Sequence, residues 1–479
     1  MTIFITFINS ILLIYLMISN FINKSALKYF TFIISLILYI STIFIWIYYN
    51  PYISTYQFYV NLKMLDLTLY FGIDGLSLLF LFLTSFLFPF CILYNWNNIF
   101  HISNEFNIIM ISMEILLIFI FITNNLLFFY ICFEAILIPL FILIGINNYR
   151  TRRIHASYML FLYTLFGSMF MLTSILILYS NTGSFDFLIL NNLKLSFYKE
   201  KLIWFFLFLS LSVKIPVFPF HIWLPEAHVE APTEGSVLLA GVLLKLGVYG
   251  FIRLLIPVFY QSTIYFLPFI FTISLISGIY TSFTTLRQTD LKKIIAYSSV
   301  AHMSIGLFGL FTLKTIGIVG SLILMFSHGI VSGGLFLLIG FLYDRFKTKI
   351  IFYYSGLVQL MPLFAFFLLI FILGNISFPG TSSFIGEFLI LNDVVNVNFE
   401  LVFFIGLILF LCTVYSLYLY NRVIFGNLNI LKINYIFDLT RREFNIIIPF
   451  FLFVFWLGFY PLPFIKLIES SVYYLVFNF

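Results

Sequence analysis

Long apolar runs recur along almost the whole chain and are separated by short polar connections. A helix needs about 20 apolar residues to cross a bilayer, so each run predicts one transmembrane helix. The pattern predicts an all-α polytopic membrane protein of fourteen helices, near residues 3–22, 29–49, 73–95, 106–123, 125–146, 155–179, 202–221, 235–256, 263–284, 291–311, 315–342, 360–391, 399–421 and 444–464.

Two of these predicted helices, the seventh and the twelfth, have a visible interruption in their sequence. In the seventh, Lys214 is followed by Pro216 and Pro219, and in the twelfth the sequence SFPG occupies residues 377–380. Proline interrupts a helix because it lacks an N–H and its ring clashes with the preceding turn. Two broken helices five spans apart predict two inverted repeats of five helices each. The predicted segments are residues 1–105 with helices 1–3, 106–256 with helices 4–8, 257–421 with helices 9–13, and 422–479 with helix 14.

The composition agrees with this membrane prediction. Apolar residues make up 63% of the chain and charged residues 9%, whereas soluble domains carry about 25% charged residues. A soluble globular protein is therefore excluded. The abundance of Phe, Ile, Asn and Tyr suggests an AT-rich genome of the organellar kind.

The cysteines and glycines indicate no redox or nucleotide site in this chain. Cys91, Cys132 and Cys412 each lie alone in an apolar segment without CxxC or Cys/His spacing, which predicts neither an iron–sulfur cluster nor a disulfide. No GxGxxG or P-loop sequence is present. Any redox or nucleotide chemistry is therefore expected in partner subunits.

The basic residues predict the orientation of the helices. Of 24 Lys and Arg residues, 15 follow odd-numbered predicted helices, 7 lie on the other side, and Lys214 and Lys245 lie within the membrane. Because basic loops stay on the inner side, both termini are predicted to face the outer compartment. The net charge of +6 then reports topology and requires no nucleic-acid partner.

A small set of ionisable residues lies inside the apolar segments. Each such residue costs on the order of 2.5–3.5 kcal/mol at the centre of a membrane unless it is paired or hydrated. A Glu–Lys pair can load and unload a proton near neutral pH, and histidine titrates there already. The set therefore predicts a proton relay through Glu134, Lys214, Lys245, His302, His328 and Glu387.

Structural roles compete with this interpretation. Glu134 and Lys214 could form a pair that only fixes helix packing, and a single intramembrane histidine is more often a hydrogen-bonding group between helices than a relay. His221 and His228 lie in the proline-rich half of helix seven and the following loop, where capping or an interfacial role competes with proton transfer. Glu114 could face a partner subunit.

Several motifs together resemble the antiporter-like membrane subunits of respiratory complex I. They cover residues 71–391 and are FGIDGLSLLFLFLT at 71–84, FYICFEAILIP at 129–139, FLYTLFGSMFML at 161–172, KIPVFPFHIWLPEAHVEAP at 214–232, GSVLLAGVLLKLGVYGFIR at 235–253, LRQTDLKKIIAYSSVAHM at 286–303, SHGIVSGGLFLLIG at 327–340 and FPGTSSFIGEFLIL at 378–391. Any one of these motifs alone would be weak evidence for the family, whereas their combination is specific for it.

The resemblance implies a proton-translocating subunit of the mitochondrial inner membrane that carries no redox cofactor. NAD, FMN, iron–sulfur clusters and ubiquinone are then expected in other membrane and peripheral subunits, and neighbouring antiporter-like subunits are expected partners. By motif position, Glu134 would modulate Lys214, Lys245 would continue the polar axis, and His302 and His328 would lead towards Glu387. In carrying glutamate at position 387, the chain resembles one branch of the family, since the other branches carry lysine at this position. A subunit of a multi-subunit Na⁺/H⁺ antiporter shares the same core motifs and is the alternative.

The chain departs from the family pattern at several places. Asn124 and Asn125 stand where many relatives have an acidic residue, and Glu234 stands where a small residue is usual. These differences bear on the route by which protons enter.

Overall fold

The chain is a mostly helical protein in the computed structural model, which describes residues 24–64, 67–97, 103–145, 151–193, 195–427 and 437–477. Within these ranges, 11 helices are long and apolar enough to cross a membrane. The helix predicted at 3–22 lies outside the described residues, and every other predicted helix overlaps an observed one. The count of fourteen spans stays a prediction.

The observed helices are numbered here in chain order. They are α1 (Lys24–Tyr48), α2 (Gly75–Tyr94), α3 (Ser103–Ile122), α4 (Leu126–Ala135), α5 (Leu137–Gly145), α6 (Thr151–Thr182), α7 (Phe187–Leu190), α8 (Phe197–Lys214), α9 (Trp223–Glu230), α10 (Thr233–Val258), α11 (Tyr260–Arg287), α12 (Leu291–Phe311), α13 (Thr315–Phe346), α14 (Pro362–Ile376), α15 (Ser382–Val395), α16 (Phe399–Ile424), α17 (Arg441–Phe459) and α18 (Leu462–Phe477).

An antiparallel hairpin of strands β1 (Gln57–Met64) and β2 (Leu67–Ile73) precedes α2, so the prediction of an entirely α-helical chain is wrong at this segment. Aromatic and β-branched residues favour strands. Polar residues interrupt the apolar run, so the segment does not have the pattern of a membrane span. Strand β2 leads directly into Asp74, whose side chain accepts a hydrogen bond from the backbone N–H of Ser77 and caps α2. The hairpin therefore fixes where α2 begins.

The predicted interruption of helix seven is confirmed. Helix α8 ends at Lys214, a non-helical segment follows at residues 215–222, and the short helix α9 comes next. The two prolines of the segment, Pro216 and Pro219, explain the interruption because neither can donate a backbone hydrogen bond. The next helix, α10, contains two π-helical turns, Leu239–Leu243 and Phe251–Leu255, one on each side of Lys245.

The predicted interruption of helix twelve is also confirmed. Helices α14 and α15 are separated by residues 377–381, where Ser377 and Gly380 both adopt positive φ angles, of 62° and 91°. Helix α17 packs directly against this break, because a Cβ on Gly458 would lie 2.0 Å from the carbonyl oxygen of Gly380. One further helix, α18, follows the predicted fourteenth helix and was not expected.

The chain forms two compact units. Unit 1 comprises Met1–Lys214, Lys245–Phe266 and Lys466–Phe479, and unit 2 comprises Ile215–Leu244 and Leu267–Ile465. Unit 2 thus takes in residues 215–244, which the sequence had assigned to the first repeat. The repeat boundaries and their inverted relationship stay predictions, since the units are groups of residues in contact and carry no information on symmetry.

Candidate functional site

The eight predicted site residues divide between the two units. Unit 1 contains Glu134, Lys214 and Lys245, and unit 2 contains His221, His228, His302, His328 and Glu387. All of them are buried except Glu134, which is half-buried. None of the eight side chains is fully exposed, which agrees with the cost of placing an ionisable group in hydrocarbon.

Lys214, the last residue of α8, lies in an aromatic environment within unit 1. Its ammonium group is 4.3 Å from the centroid of the Phe133 ring, a distance at which the ring quadrupole attracts a cation. Glu134, the residue after Phe133 on α4, carries the carboxylate whose charge attracts the same ammonium group. Neither Lys214 Nζ nor Glu134 Oε1 has a hydrogen-bond partner among the described residues, so the pair is coupled without direct contact.

Lys245 is fully buried in α10, within the regular turns Leu244–Gly250 that separate the two π-helical turns. Residues four apart on an α-helix share a face, so Tyr249 lies on the same face as Lys245. The Tyr249 hydroxyl donates to the carbonyl oxygen of Phe121 at 3.2 Å. Lys245 and Tyr249 therefore form a polar edge on an otherwise apolar helix.

In unit 2, His302 of α12 and Glu387 of α15 form a buried pair. Nδ1 of His302 lies 3.2 Å from Oε1 of Glu387, and each side chain is 4% exposed. The ring of His328 lies 5.7 Å from the His302 ring, measured between centroids. The structure therefore brings together three of the residues that the sequence singled out, from three different helices.

A thiol that sequence reasoning missed touches the other side of His302. Cys412 Sγ lies 3.5 Å from His302 Nε2, and the Tyr415 hydroxyl donates to the same sulfur at 3.0 Å. The thiol in turn donates to the carbonyl oxygen of Asn375 at 3.4 Å. Cys412 looked like an isolated cysteine because its partners lie on other helices, but Cys412, Tyr415 and Ser416 do form a polar cluster at helical spacing on α16.

His221 and His228 are buried against aromatic rings. His221 lies in the segment between α8 and α9, with its ring centroid 5.8 Å from Phe218 and 5.5 Å from Tyr280. His228 stacks on Phe336 with centroids 4.8 Å apart and an angle of 3° between the planes. These ring contacts are packing contacts, and the choice between proton transfer and a capping or interfacial role for the two histidines stays a prediction. Among the described residues, no group of three or more His, Cys, Asp or Glu side chains could hold a metal ion.

Residues 123–413, which include all eight site residues, match the family model described as "NADH:quinone oxidoreductase/Mrp antiporter, TM". The chain is 50% identical over 448 residues to NADH-ubiquinone oxidoreductase chain 4 of Marchantia polymorpha, covering 92% of this chain and 90% of the relative. The resemblance to the antiporter-like membrane subunits of respiratory complex I is thereby confirmed.

Two solved structures share the fold. A chain of respiratory complex I from Thermus thermophilus is 25% identical, with a TM-score of 0.87, and the match covers 97% of this chain and 98% of that one. A chain of the Mrp complex from Dietzia sp. also has a TM-score of 0.87, at 15% identity and with coverage of 99% and 97%. The second similarity concerns the fold alone.

Proposed function

The chain belongs to the NADH:quinone oxidoreductase/Mrp antiporter transmembrane family, and from that premise we propose which of its residues carry protons. It is a proton-translocating, antiporter-like subunit of respiratory complex I. The substrate is H⁺, and the driving reaction is electron transfer from NADH to ubiquinone in partner subunits. FMN, iron–sulfur clusters and ubiquinone belong to those partners in this proposal, and this chain carries no redox centre.

The observation that carries the proposal is the contact between His302 and Glu387. An imidazole and a carboxylate at 3.2 Å can exchange one proton along a hydrogen bond with no redox chemistry and no change in their joint charge. The pair is buried in a chain with only 9% charged residues, where a purely structural contact could be made by uncharged groups at lower desolvation cost. An ionisable pair differs from such uncharged groups in that it can bind and release a proton.

We assign the remaining residues by their surroundings. Glu134 tunes the proton affinity of Lys214 electrostatically, and the Phe133 ring stabilises the ammonium form. Lys245 is the next station in unit 1, and His328 is the station beside His302 in unit 2. His221 and His228 stand outside this relay as packing residues.

The location follows from the same premise. The eukaryotic relatives and the many apolar helices support a multi-pass protein of the mitochondrial inner membrane. The excess of basic residues after odd-numbered predicted helices supports termini on the intermembrane-space side.

The test of the proposed function is Lys214→Ala in the assembled complex. Removing the ammonium group should leave assembly intact and reduce NADH-driven proton pumping on the order of a hundredfold, as expected for loss of a proton-transfer group. Lys199→Ala is the matched control, because Lys199 is an exposed lysine on the same helix. Wild-type pumping by an assembled Lys214→Ala complex would refute the assigned role.

The alternative function is that of a subunit in a multi-subunit Na⁺/H⁺ antiporter, with which the description of the matching family model is compatible. Purification separates the two functions. Flavin and iron–sulfur subunits should travel with this chain if it belongs to complex I. Sodium-dependent proton exchange by the purified assembly, in the absence of NADH, would instead support the antiporter.

A further inference from the structure

A second buried charge pair in unit 1 lies outside the proposed relay. Both terminal nitrogens of Arg253 donate to the carboxylate of Asp74, each at 2.7 Å, and both residues are 4% exposed. Asp74 is the N-cap of α2, and its backbone N–H donates to the Ser77 hydroxyl at 2.9 Å. The guanidinium group is therefore held in place by a residue that is itself fixed at the end of the hairpin.

The pair continues the polar edge that begins at Lys245. Nε of Arg253 donates to the Tyr249 hydroxyl at 3.3 Å, and Tyr249 follows Lys245 by one helical turn. The order along the edge is thus Lys245, Tyr249, Arg253 and Asp74. All four residues belong to unit 1.

A cavity lies at the end of this edge. It has a volume of about 180 Å³ and is lined by Asp74 and Arg253 together with Tyr56, Tyr59 and Ser471. At roughly 30 Å³ per water molecule, the cavity has room for several waters, and its polar lining groups include the side chains of Asp74, Arg253 and Ser471.

We infer that Arg253, held by Asp74, is a barrier to protons at the hairpin end of unit 1. A guanidinium group stays charged in proteins, so it cannot pass on a proton by releasing its own. A fixed arginine in a polar path also repels hydronium, as in pores that conduct water but exclude protons. Asp74 offsets the cost of burying the cation, and the hydrogen bonds that its oxygens accept from Arg253 and from the Ser77 N–H favour its charged form over its protonated form.

This inference rests on the proposed function, because a barrier matters only if Lys245 carries protons. It adds that a proton on Lys245 is retained within unit 1 instead of escaping past Tyr249 to the cavity. A purely structural role is the competing explanation, and the two differ in one measurable quantity, which is the passive permeability of the membrane domain to protons.

The test is the double variant Asp74→Asn with Arg253→Gln, studied in the assembled complex reconstituted into liposomes without NADH. Asparagine is as good an N-cap as aspartate, and glutamine keeps the path polar, whereas an apolar residue could seal it by excluding water. An imposed pH gradient should collapse on the order of tenfold faster than in the wild type. An unchanged rate of collapse would overturn the inference.

The ion pair of Arg345 and Glu443 in unit 2 is the matched control. It is also bidentate, with distances of 2.9 and 2.6 Å, and Glu443 also belongs to a capping box, with Thr440. Arg345→Gln with Glu443→Gln should affect stability as much or more, and should leave the proton leak unchanged. A comparable leak in this control would show that loss of any such pair loosens the protein, and would overturn the inference.

Arg253→Lys tests the same point if the double variant fails to assemble. Lysine keeps a basic group at this position but can release its proton, whereas arginine cannot, so the leak should rise towards that of the double variant. A wild-type rate of leak in an assembled Arg253→Lys complex would overturn the inference. Because the leak is measured without NADH, it can be read independently of whether Lys214→Ala abolishes pumping.

Discussion

Nδ1 of His302 faces the carboxylate of Glu387 at 3.2 Å, while Nε2 of the same ring faces the sulfur of Cys412 at 3.5 Å. The S–H of Cys412 is directed to the Asn375 carbonyl oxygen, so the contact with sulfur is favourable when Nε2 carries a hydrogen. Nδ1 is then the nitrogen that gains and loses the mobile proton. The arrangement makes Glu387 the exchange partner of His302.

Glu387→Gln should uncouple the relay in unit 2. The amide can still hydrogen-bond to His302, but it cannot ionise, so proton exchange across the pair stops. We expect NADH-driven pumping to fall on the order of a hundredfold in an assembled complex. Asp393→Asn is the control on the same helix, because Asp393 accepts from the Thr312 hydroxyl at 2.6 Å and the Gly317 N–H at 3.0 Å. Equal loss of pumping in both variants would contradict a specific role for Glu387.

Cys412→Ala should change the pH dependence of pumping. The substitution removes the sulfur that contacts His302 Nε2 and the Tyr415 hydroxyl, and leaving such groups unpaired costs about 1–3 kcal/mol. Cys412→Ser should restore the wild-type pH profile, since a hydroxyl can replace both contacts. Cys132→Ala, at a buried cysteine of α4, is the control for loss of a thiol alone. A merely structural role would lower stability in Cys412→Ala and leave the pH profile unmoved.

Lys245→Gln distinguishes a relay from a scaffold. A relay residue should lose coupled pumping by at least about tenfold while the complex still assembles. A lysine that only holds helices together should instead lower the melting temperature and leave the proton flux per NADH as it was. Melting curves and pumping rates of the same preparation give the answer.

Gly458→Ala should destabilise unit 2 at the break between α14 and α15. The added Cβ would lie 2.0 Å from the Gly380 carbonyl oxygen, a backbone atom that cannot move away freely. Such overpacking costs about 1–3 kcal/mol or more. Gly406→Ala is the matched control, because nothing lies within 4 Å of its added Cβ and alanine favours a helix over glycine by roughly 0.5–1 kcal/mol. A Gly458→Ala protein as stable as Gly406→Ala would contradict the close approach.

Asp186 predicts a pH dependence of stability outside the membrane helices. Burial raises the pKa of its carboxyl from 3.8 to about 6. The folded state therefore binds this proton more tightly than the unfolded state, and the stabilisation, complete below about pH 4, is lost as the pH rises through about 6. Asp186→Asn should raise the melting temperature at neutral pH and leave it unchanged in acid. A difference in melting temperature between variant and wild type that stays the same across this pH range would contradict the prediction.

The local pattern predicted the helices well because a membrane helix satisfies its backbone hydrogen bonds within a single segment of the chain. Without water to satisfy its backbone, an apolar run of sufficient length must form a helix. Prolines at 216, 219 and 379 mark the two breaks for an equally local reason, the missing N–H. The hairpin of β1 and β2 escaped prediction because its stability depends on pairing between strands.

The chain's own sequence determined the membrane class, the positions of its helices and their breaks, and the few ionisable residues worth their desolvation cost. Only the tertiary structure decided which of those residues meet. Asp74 and Arg253 are 179 residues apart in the chain, and Cys412 and His302 are 110 apart. Periodicity within a segment reports on that segment's own burial, whereas a hydrogen bond between helices depends on the packing of both, which no local pattern contains.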